Sequence, residues 1–383
     1  MSVYLDYNAS APIDPRVLEI MIDVYRSSIG NADSRTHDYG DQAKHIVEDS
    51  RKKVAQILKI NSDEVFFTSG ATESNNIIIQ GLREYGVANS KQHIITSSIE
   101  HKAVLETVRA MERDGFEVDY IKPQPDGRVS AEQVLERVKD ETLLVSIMHV
   151  NNETGMIQPV QEIGEALADQ EIFFHVDATQ SFGKLVDELQ NLRYDMLSMS
   201  AHKLGGPQGI GVMVLRRKNY KLPPVKAISY GGQQEHGLRP GTIPTALTAG
   251  LGKACEIAAA EYKEHTEYCR EIKEILISLL DQSELEYVVN GDTEYCMPTT
   301  LNVCIKGVSS EALMLSTQQF CAVSNGSACT SSSYKPSYVL TEMGLSPDKI
   351  DNSIRISWGP GATKEAIVQN FKELLRTAKN LKM

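Results

Sequence analysis

Short apolar segments alternate with amphipathic ones between about residues 50 and 215, and this alternation restricts the fold more than any other feature of the sequence. Val, Ile and Phe are frequent in most of the apolar segments, and several are apolar throughout, as strands buried on both faces are. Seven strands are predicted, at residues 64–68, 93–97, 117–121, 143–148, 172–176, 196–199 and 210–215. The helices predicted between them cover residues 73–86, 101–115, 130–138 and 160–168. This order predicts an α/β fold in which helices cover a mostly parallel, seven-stranded sheet.

The second half of the chain follows a different pattern. A long helix is predicted at residues 245–281. After it come two strands, a helix, a strand and a C-terminal helix, predicted at residues 286–289, 299–304, 310–319, 354–358 and from about 363. This mixture predicts a smaller α+β domain that the first residues of the chain complete. The predicted boundaries are 15–259 for the large domain and 1–14 with 260–383 for the small one.

The composition narrows the range of partners. Asp and Glu number 51 against 39 Lys and Arg, and a net charge of −12 disfavours direct binding to nucleic acid, which needs clustered cations. No apolar run of about 18 residues predicts a membrane span, and the first residues lack the pattern of a secretory signal. The six cysteines are scattered without a CxxC pair, so neither a disulfide framework nor a metal site is expected. We expect a cytoplasmic protein with free thiols.

Small residues follow the first predicted strand, in Ser69-Gly70-Ala71-Thr72. They let the backbone approach a ligand closely, and the helix after them would direct its first N–H groups at an anion such as phosphate. The same segment could equally be an ordinary strand-to-helix turn in which Thr72 caps the helix. Taken alone, the segment does not distinguish these alternatives.

Asp177 and Lys203 each follow a predicted strand. Ligands of such sheets bind beyond the carboxyl ends of the strands, so both side chains could reach one. The Asp177 carboxylate is either a structural cap or the partner of a protonated ring nitrogen. A lysine in this position is usually a solvated charge. The Gly205-Gly206-Pro207 segment after Lys203 favours a place in a cleft, where an amine of lowered pKa can form a Schiff base.

These residues are part of a wider resemblance. Asp177 with Gln180, followed by Ser200, His202 and Lys203, is similar to the pyridoxal phosphate site of the class V aminotransferases. Other motifs of that family occur in the same order along nearly the whole chain, at residues 5–9, 69–76, 100–104, 149–155 and 237–242. Within the family the chain resembles the cysteine desulfurases, which implies the type I fold of pyridoxal-phosphate-dependent transferases.

The resemblance implies how the ring of the cofactor, pyridoxal 5′-phosphate, would be bound. Lys203 would hold it covalently, Asp177 would pair with its ring nitrogen, and Gln180 would bond its phenolic oxygen. His101 would stack on the ring and could relay protons, and Asn152 would lie near the cofactor oxygen and the substrate. In isolation, His101 could be a solvated helix-terminal histidine and Asn152 a loop amide bonded to its own backbone. Alongside Lys203 and Asp177, these simpler interpretations are disfavoured.

Other residues would bind the phosphate of the cofactor. The resemblance implies contacts from Thr72, Ser200 and His202, together with the backbone near Ala71. In relatives the residue that matches Thr242 reaches the phosphate bound to the neighbouring subunit. The family therefore implies a homodimer with shared active sites.

One cysteine, Cys329, differs from the others in its surroundings. Three cysteines fall in predicted helices or strands and are expected to be buried: Cys255, Cys269 and Cys304. Cys296 and Cys321 give no clear indication. Cys329 lies in a polar segment at residues 324–333, where a thiol could be exposed, although an incidental loop thiol is the alternative.

The Ser327-Ala328-Cys329 sequence resembles the long catalytic loop of the group I cysteine desulfurases. The other main group has a shorter loop with Arg and His before its cysteine. The resemblance implies that sulfur is taken from L-cysteine, which leaves as L-alanine, forms a persulfide on Cys329 and passes to acceptor proteins. Arg355 matches the arginine that binds the substrate carboxylate, a task that suits its forked guanidinium. A structural salt bridge is the alternative for Arg355.

Two segments depart from the pattern of the housekeeping members and leave the sulfur acceptor open. Residues 357–361 lack a further arginine, and residues 30–34 lack the usual proline. Iron–sulfur cluster assembly, tRNA thiolation and DNA phosphorothioate modification are the candidate destinations of the sulfur. The rival hypotheses are a selenocysteine lyase, another class V aminotransferase-like enzyme and a non-catalytic scaffold. A transaminase would have no use for Cys329.

Overall fold

A computed structural model describes residues 2–326, 336–361 and 363–382 of the chain. Within these ranges the strands are β1 (Val3–Tyr4), β2 (Val65–Thr68), β3 (His93–Ser97), β4 (Glu117–Ile121), β5 (Thr142–Met148), β6 (Phe173–Asp177), β7 (Met196–Ser200), β8 (Gly211–Leu215), β9 (Tyr287–Val289), β10 (Thr300–Ile305), β11 (Cys321–Ala322) and β12 (Ser353–Ser357). The helices are α1 (Pro15–Ser27), α2 (Asp38–Leu58), α3 (Ala71–Gly81), α4 (Arg83–Ala88), α5 (Lys102–Arg113), α6 (Ala131–Leu135), α7 (Val160–Leu167), α8 (Val186–Asn191), α9 (Thr245–Asp281), α10 (Ser310–Thr317), α11 (Tyr338–Glu342), α12 (Pro347–Asp351) and α13 (Lys364–Leu381).

The central sheet has seven strands in the order β2-β8-β7-β6-β5-β3-β4. Strand β8 is antiparallel to both of its neighbours, and the other adjacent pairs are parallel. Strands β2, β3, β5, β7 and β8 are buried along their whole length, as strands covered on both faces are. The predicted mostly parallel, seven-stranded sheet is confirmed. The strand boundaries lie within about one residue of the predicted ones.

The helices differ from the prediction in several places. One helix is predicted at residues 73–86, but the structure has α3 and α4, which separate at Leu82. The break coincides with a tertiary contact, because the Gly81 carbonyl accepts a hydrogen bond from Lys226 N (2.9 Å). A Cβ on Gly81 would lie only 2.6 Å from Lys226 O, so glycine is needed for this contact. The helix predicted at 130–138 ends at Leu135, and α1, α2, α8, α11 and α12 are absent from the predicted set.

The remaining strands lie apart from the central sheet. Strands β12, β10 and β9 form an antiparallel sheet, and β1 pairs with β11 in parallel. Helix α9 joins the two halves: Cys255 packs in the core of the large sheet, and Leu276 packs in a second core with β10, β12 and α13. Val3 and Leu5 belong to that second core. This separation supports the predicted domain boundaries, which remain a prediction. Although α9 has 37 residues, neither it nor another helix in the described ranges is apolar enough to cross a membrane.

The central sheet brings five chain segments to one edge. Strands β2, β3, β5, β6 and β7 point in the same direction, so their carboxyl ends meet. The segments that end or follow these strands begin at Ser69, Ser98, His149, Asp177 and Ala201. Ligands of parallel sheets bind at such an edge.

Candidate active site

Asp177 is the last residue of β6 and is buried at this edge. Its Oδ2 accepts a hydrogen bond from Asn75 Nδ2 (2.9 Å), and its Oδ1 accepts bonds from the Thr179 backbone N–H (3.0 Å) and hydroxyl. Asn75 Oδ1 in turn accepts a bond from the Ser198 hydroxyl, whose Oγ lies 3.2 Å from His175 Nε2. The carboxylate is therefore fixed by side chains from several segments.

The polar residues behind Asp177 were not identified from the sequence. His175 Nδ1 lies 2.9 Å from Ser146 Oγ, and burial lowers the pKa of His175 to about 4. The ring is therefore neutral at physiological pH and bonds the two hydroxyls of Ser146 and Ser198. The available signal was the presence of single polar residues inside otherwise apolar strands.

Lys203 ends a short 3-10 turn that follows β7. Its Nζ donates hydrogen bonds to the carbonyl oxygens of Asn8 (2.6 Å) and Ala9 (2.7 Å). Gln180 Nε2 donates to the same Asn8 oxygen (2.9 Å). The amine therefore lies between the sheet edge and the N-terminal segment, and the segment at residues 5–9 is part of the site.

The turn after β2 brings backbone N–H groups to the same edge. Helix α3 begins at Ala71, and its N-cap is Gly70, which supplies no capping side chain. The Ser200 hydroxyl accepts a hydrogen bond from Ala71 N (2.7 Å). A Cβ on Gly211 would lie 2.5 Å from Gly70 Cα, so the close approach of this turn to β8 requires glycine. Thr72 lies within the first helical turn, after the N-cap Gly70, and is exposed. The alternative in which Thr72 caps the helix is therefore wrong. An uncapped first turn can bind an anion.

Two histidines border the site. His101 is the N-cap of α5, where its Nδ1 accepts a hydrogen bond from Ala103 N (3.1 Å), so its ring proton is on Nε2. The ring lines a cavity of about 580 Å³, and burial lowers its pKa. His202 Nδ1 lies 3.2 Å from Ser10 Oγ, and burial, with a further contribution from the Lys203 charge, lowers its pKa to about 4. Both rings are neutral at physiological pH.

Arg355 enters the site from β12 and is buried. One terminal nitrogen pairs with Asp6 Oδ1 (2.6 Å), and the other donates to the Asn152 carbonyl (3.0 Å). Its Nε has no partner among the described residues. The salt bridge considered as an alternative is therefore present, while the Nε–H stays without a partner among the described residues.

The side chain of Asn152 does not stabilise its own turn. That function belongs to Asn151, whose Oδ1 accepts hydrogen bonds from Glu153 N (2.9 Å) and Thr154 N (3.0 Å). Asn152 Oδ1 and Gln180 Oε1 are both buried, and neither has a partner within the described ranges. Buried polar atoms are normally paired, so two unpaired amide oxygens indicate that a polar ligand binds here.

Thr242 does not lie among the side chains that meet around Asp177 and Lys203. It is exposed before α9, and its side chain makes no hydrogen bond within the part of the chain that the structure describes. Arg239, on the same segment, pairs with Glu73 in the first turn of α3 (3.2 Å). The segment that carries Thr242 is therefore anchored beside the site, while Thr242 itself faces outward.

Cys329 lies outside the described residues. Four other cysteines are buried, and burial raises the pKa of each thiol, to about 12 in two of them: Cys255, Cys269, Cys304 and Cys321. The burial predicted for three of them is confirmed. The thiolate is the nucleophile, so these four are poor candidates for catalysis. No group of three or more His, Cys, Asp and Glu side chains in the described ranges is arranged to hold a metal ion.

The geometry of the site fits pyridoxal phosphate. A fixed carboxylate at Asp177 can face a ring nitrogen, and the Lys203 amine lies at the same edge. The unpaired oxygens of Asn152 and Gln180 are available to polar groups of a ligand. The uncapped start of α3, beside Ser200, is suited to a phosphate.

Comparisons with known proteins agree with this geometry. The sequence profile of the family described as Aminotransferase class-V matches residues 3–370. The chain is 42% identical over 371 residues to "Cysteine desulfurase IscS" of Vibrio vulnificus, covering 96% of this chain and 90% of the relative. A solved structure of a NifS-like protein superposes with a TM-score of 0.91 at 36% identity over 100% of both chains. The structure of SspA in complex with cysteine has a TM-score of 0.81 at 36% identity, over 94% of this chain and 99% of that one.

The chain therefore belongs to the class V aminotransferase family. The predicted type I fold and the predicted cofactor, pyridoxal phosphate, are confirmed by this membership. Within the family, the chain belongs to the cysteine desulfurases.

Proposed function

We propose that the protein removes sulfur from L-cysteine, releases L-alanine and holds the sulfur as a persulfide on Cys329. The Cβ–S bond of the substrate breaks and an S–S bond forms at Cys329. The Cys329 sulfur and the substrate sulfur each lose one electron in formal terms and Cβ gains both, and in the overall balance the thiol proton of Cys329 is gained at Cβ of alanine. The observation that carries the proposal is the composition of the cavity wall. His101 and Asn152 line the cavity together with Gly326 and Ser337, which lie on either side of residues 327–335, the segment that contains Cys329.

The residues around Asp177 are suited to cofactor chemistry on an amino acid. Pyridoxal phosphate, when bound, withdraws electrons from the substrate and makes its Cα proton acidic. Asp177 would keep the ring nitrogen protonated, and Lys203 would attach the cofactor and move the Cα proton. Gln180 would donate the second N–H of its amide to the phenolic oxygen. His101, neutral with its proton on Nε2, would stack on the ring and could pass a proton to or from the substrate.

The phosphate and the substrate carboxylate would be held by two different groups of residues. Ala71, Thr72, Ser200 and His202 would bind the phosphate, in agreement with the uncapped start of α3. Arg355 would bind the substrate carboxylate, with Asn152 beside it. The ion pair of Arg355 with Asp6 keeps the guanidinium in place and leaves its Nε for this contact.

The functional unit that we propose is a homodimer. Thr242 would reach the phosphate bound to the neighbouring subunit, which agrees with its exposure here. An apolar stripe on and just after α1 supports an interface, since its members are exposed at helical spacing: Leu18, Ile22, Tyr25 and Ile29. A dimer mass in light scattering, and its loss in Tyr25→Glu, would test the assembly. A monomer with full activity would contradict it.

The persulfide would pass to acceptor proteins. The net charge of −12 disfavours direct contact with nucleic acid, so a nucleic-acid product would be reached through a protein partner. Iron–sulfur assembly, tRNA thiolation and DNA phosphorothioate modification stay predictions for the destination. Transfer of labelled sulfur to purified candidate carriers would distinguish them.

Mass spectrometry after incubation with L-cysteine tests the sulfur-transfer reaction directly. We expect an adduct of about 32 Da, one sulfur atom, located on Cys329 after digestion. Alanine release should be lost in Cys329→Ala. Unchanged alanine release in that variant would reject the reaction in favour of a selenocysteine lyase or another class V enzyme. A preparation without cofactor absorbance, even after addition of pyridoxal phosphate, would favour the scaffold hypothesis.

A further inference from the structure

Gly326 and Ser337, described residues on either side of positions 327–335, both lie against one buried carboxyl group, that of Glu153. On the C-terminal side, the Ser337 hydroxyl donates a hydrogen bond of 2.5 Å to Glu153 Oε2. On the N-terminal side, Gly326 has a φ of +85°, and a Cβ there would lie 2.2 Å from the same Oε2. The positive φ favours glycine at 326, and a side chain there would displace the Glu153 carboxyl group.

Glu153 is itself fixed to the substrate side of the site. It directly follows Asn152, whose carbonyl accepts hydrogen bonds from Arg355 and Asn8. The Glu153 carbonyl accepts a bond from Asn302 Nδ2 (3.0 Å) in β10. Glu153, which contacts Ser337 and Gly326, is thus directly adjacent in sequence to the residue proposed to contact the substrate.

Ser337 is also held from a second direction. Its hydroxyl accepts a hydrogen bond from Leu340 N (3.1 Å) as the N-cap of α11, so the helix and Glu153 fix the same side chain. Tyr338, the next residue, donates from its hydroxyl to the Glu100 carbonyl (2.6 Å), directly before His101. The C-terminal end of the segment is therefore bonded to neighbours of two proposed active-site residues.

The burial of Glu153 has an energetic cost that packing alone does not explain. A carboxyl group removed from water is unfavourable unless its partners compensate. Burial raises the pKa of Glu153 to about 7, against the opposing influence of the Ser337 hydrogen bond and of the Arg355 and Lys102 charges. An apolar residue of similar size would fill the same space without this cost, but it would not bond Ser337.

We propose that Glu153 is a positioning residue for sulfur transfer: beside Asn152, it bonds Ser337 on one side of residues 327–335 and lies against Gly326 on the other, so that the Cys329 thiol reaches the substrate sulfur. The inference rests on the function proposed above. Cys329 is only three residues from Gly326 along the chain, so its Cα lies within about 11 Å of that residue in any conformation. Correct placement of a nucleophile contributes large rate factors, and a shift of about 1 Å is enough to lose much of that gain.

The test compares single-turnover persulfide formation on Cys329 in holoenzyme variants. Glu153→Ala removes the acceptor, and we expect the rate to fall about tenfold or more. Glu153→Gln retains a carbonyl oxygen for Ser337, so its rate should recover to within about threefold of the wild type. Glu106→Ala is the matched control, because Glu106 lines the same cavity without contacting either end. Its rate should not change.

A second readout separates positioning from general destabilisation. L-Alanine binding, followed by the absorbance of the cofactor, does not require the thiol and should be unchanged in Glu153→Ala. Equal losses of L-alanine binding and persulfide formation would overturn the proposal, as would an unchanged rate. If Glu153→Ala does not fold, Ser337→Ala and Ser337→Thr decide: the first should slow persulfide formation and the second should restore it. A wild-type protein that forms no persulfide would instead reject the sulfur-transfer function.

Discussion

Asp177 lies in a dense hydrogen-bond network at the edge of the large sheet, whereas Arg355 and the ends of the Cys329 segment are held by a few contacts from separate elements. The Asp177 carboxylate accepts three bonds, and Asn75, Ser198 and His175 continue the network behind it. The Arg355 guanidinium has one ion pair and one bond to a carbonyl, and its Nε has no partner within the part of the chain that the structure describes.

The difference corresponds to two tasks. A cofactor that stays bound through many reaction cycles is best served by partners that do not move, and preorganised groups need no rearrangement during the reaction. A thiol that takes sulfur from the substrate and gives it to another protein must leave the site again. Few but well-placed contacts at the segment ends suit that second task. Variants of the two regions should therefore fail in different ways.

The largest effects are expected from Lys203→Ala and Cys329→Ser, and they should differ in kind. Lys203→Ala should lose the absorbance of covalently held cofactor and lower alanine release by about 10³-fold, because both attachment and proton transfer are lost. Cys329→Ser should also lose alanine release, yet retain cofactor absorbance and L-alanine binding. Absorbance spectra and alanine quantification measure both. Loss of cofactor in Cys329→Ser would show that the two regions are not separate.

Asp177→Asn should have the next largest effect. The amide cannot stabilise a protonated ring nitrogen as a carboxylate does, so we expect kcat to fall by about 10²-fold with little change in thermal stability. Asn75→Ala, which removes one bond to the same carboxylate, should cost only about tenfold. Steady-state kinetics at saturating cofactor gives both values. If Asn75→Ala is as slow as Asp177→Asn, the orientation of the Asp177 side chain, and not its negative charge, determines the rate.

Arg355→Lys should affect the substrate and spare the cofactor. A lysine cannot reproduce the fork that binds Asp6, the Asn152 carbonyl and a substrate carboxylate together. We expect KM for L-cysteine to rise about tenfold, with cofactor content unchanged. A lower cofactor content would show that Arg355 helps to hold the cofactor, as the residues around Asp177 are proposed to do.

The same difference between the two regions decides what the sequence could predict. Asp177 and Lys203 come at or just after the ends of strands that short runs of apolar residues predict. Their position at the sheet edge can therefore be inferred from the local sequence. Glu153 could not be identified in this way, because its partners Gly326 and Ser337 are distant in sequence. The break at Leu82 was missed for a similar reason, since Lys226 contacts Gly81 across a long loop.

Residues with a role behind the site were also difficult to recognise. Ser146, His175 and Ser198 lie inside buried strands, where a single polar residue is compatible with many neighbours. Only the strand order β7-β6-β5 brings the three side chains together. Family motifs identified the groups proposed to contact the cofactor, and the tertiary structure identified the groups that hold them.

The smallest predicted effect concerns two buried carboxyl groups, one in each region. Glu100, beside His101, is fully buried, and burial raises its pKa to about 8, while that of Glu153 is raised to about 7. A raised folded-state pKa stabilises the folded chain fully below the unfolded value and loses this contribution as pH rises through the folded value. The free energy of unfolding should therefore fall as pH rises from about 4.5, up to about pH 7 for Glu153 and about pH 8 for Glu100. Above about pH 6.5 the remaining fall is on the order of 1 kcal/mol for each group.

Isosteric glutamine variants distinguish the two contributions. In Glu100→Gln the fall should be reduced up to pH 8, because the amide mimics the protonated acid and cannot ionise. In Glu153→Gln the reduction should be confined to values up to about pH 7. His175 and His202 do not interfere above about pH 6.5, since their lowered pKa values remove stability only as pH falls below that value. Denaturant unfolding of the holoenzyme at several pH values measures each slope. Identical slopes in the wild type and both variants would show that neither carboxyl holds its proton at neutral pH, and that the charged form of Glu153 bonds Ser337.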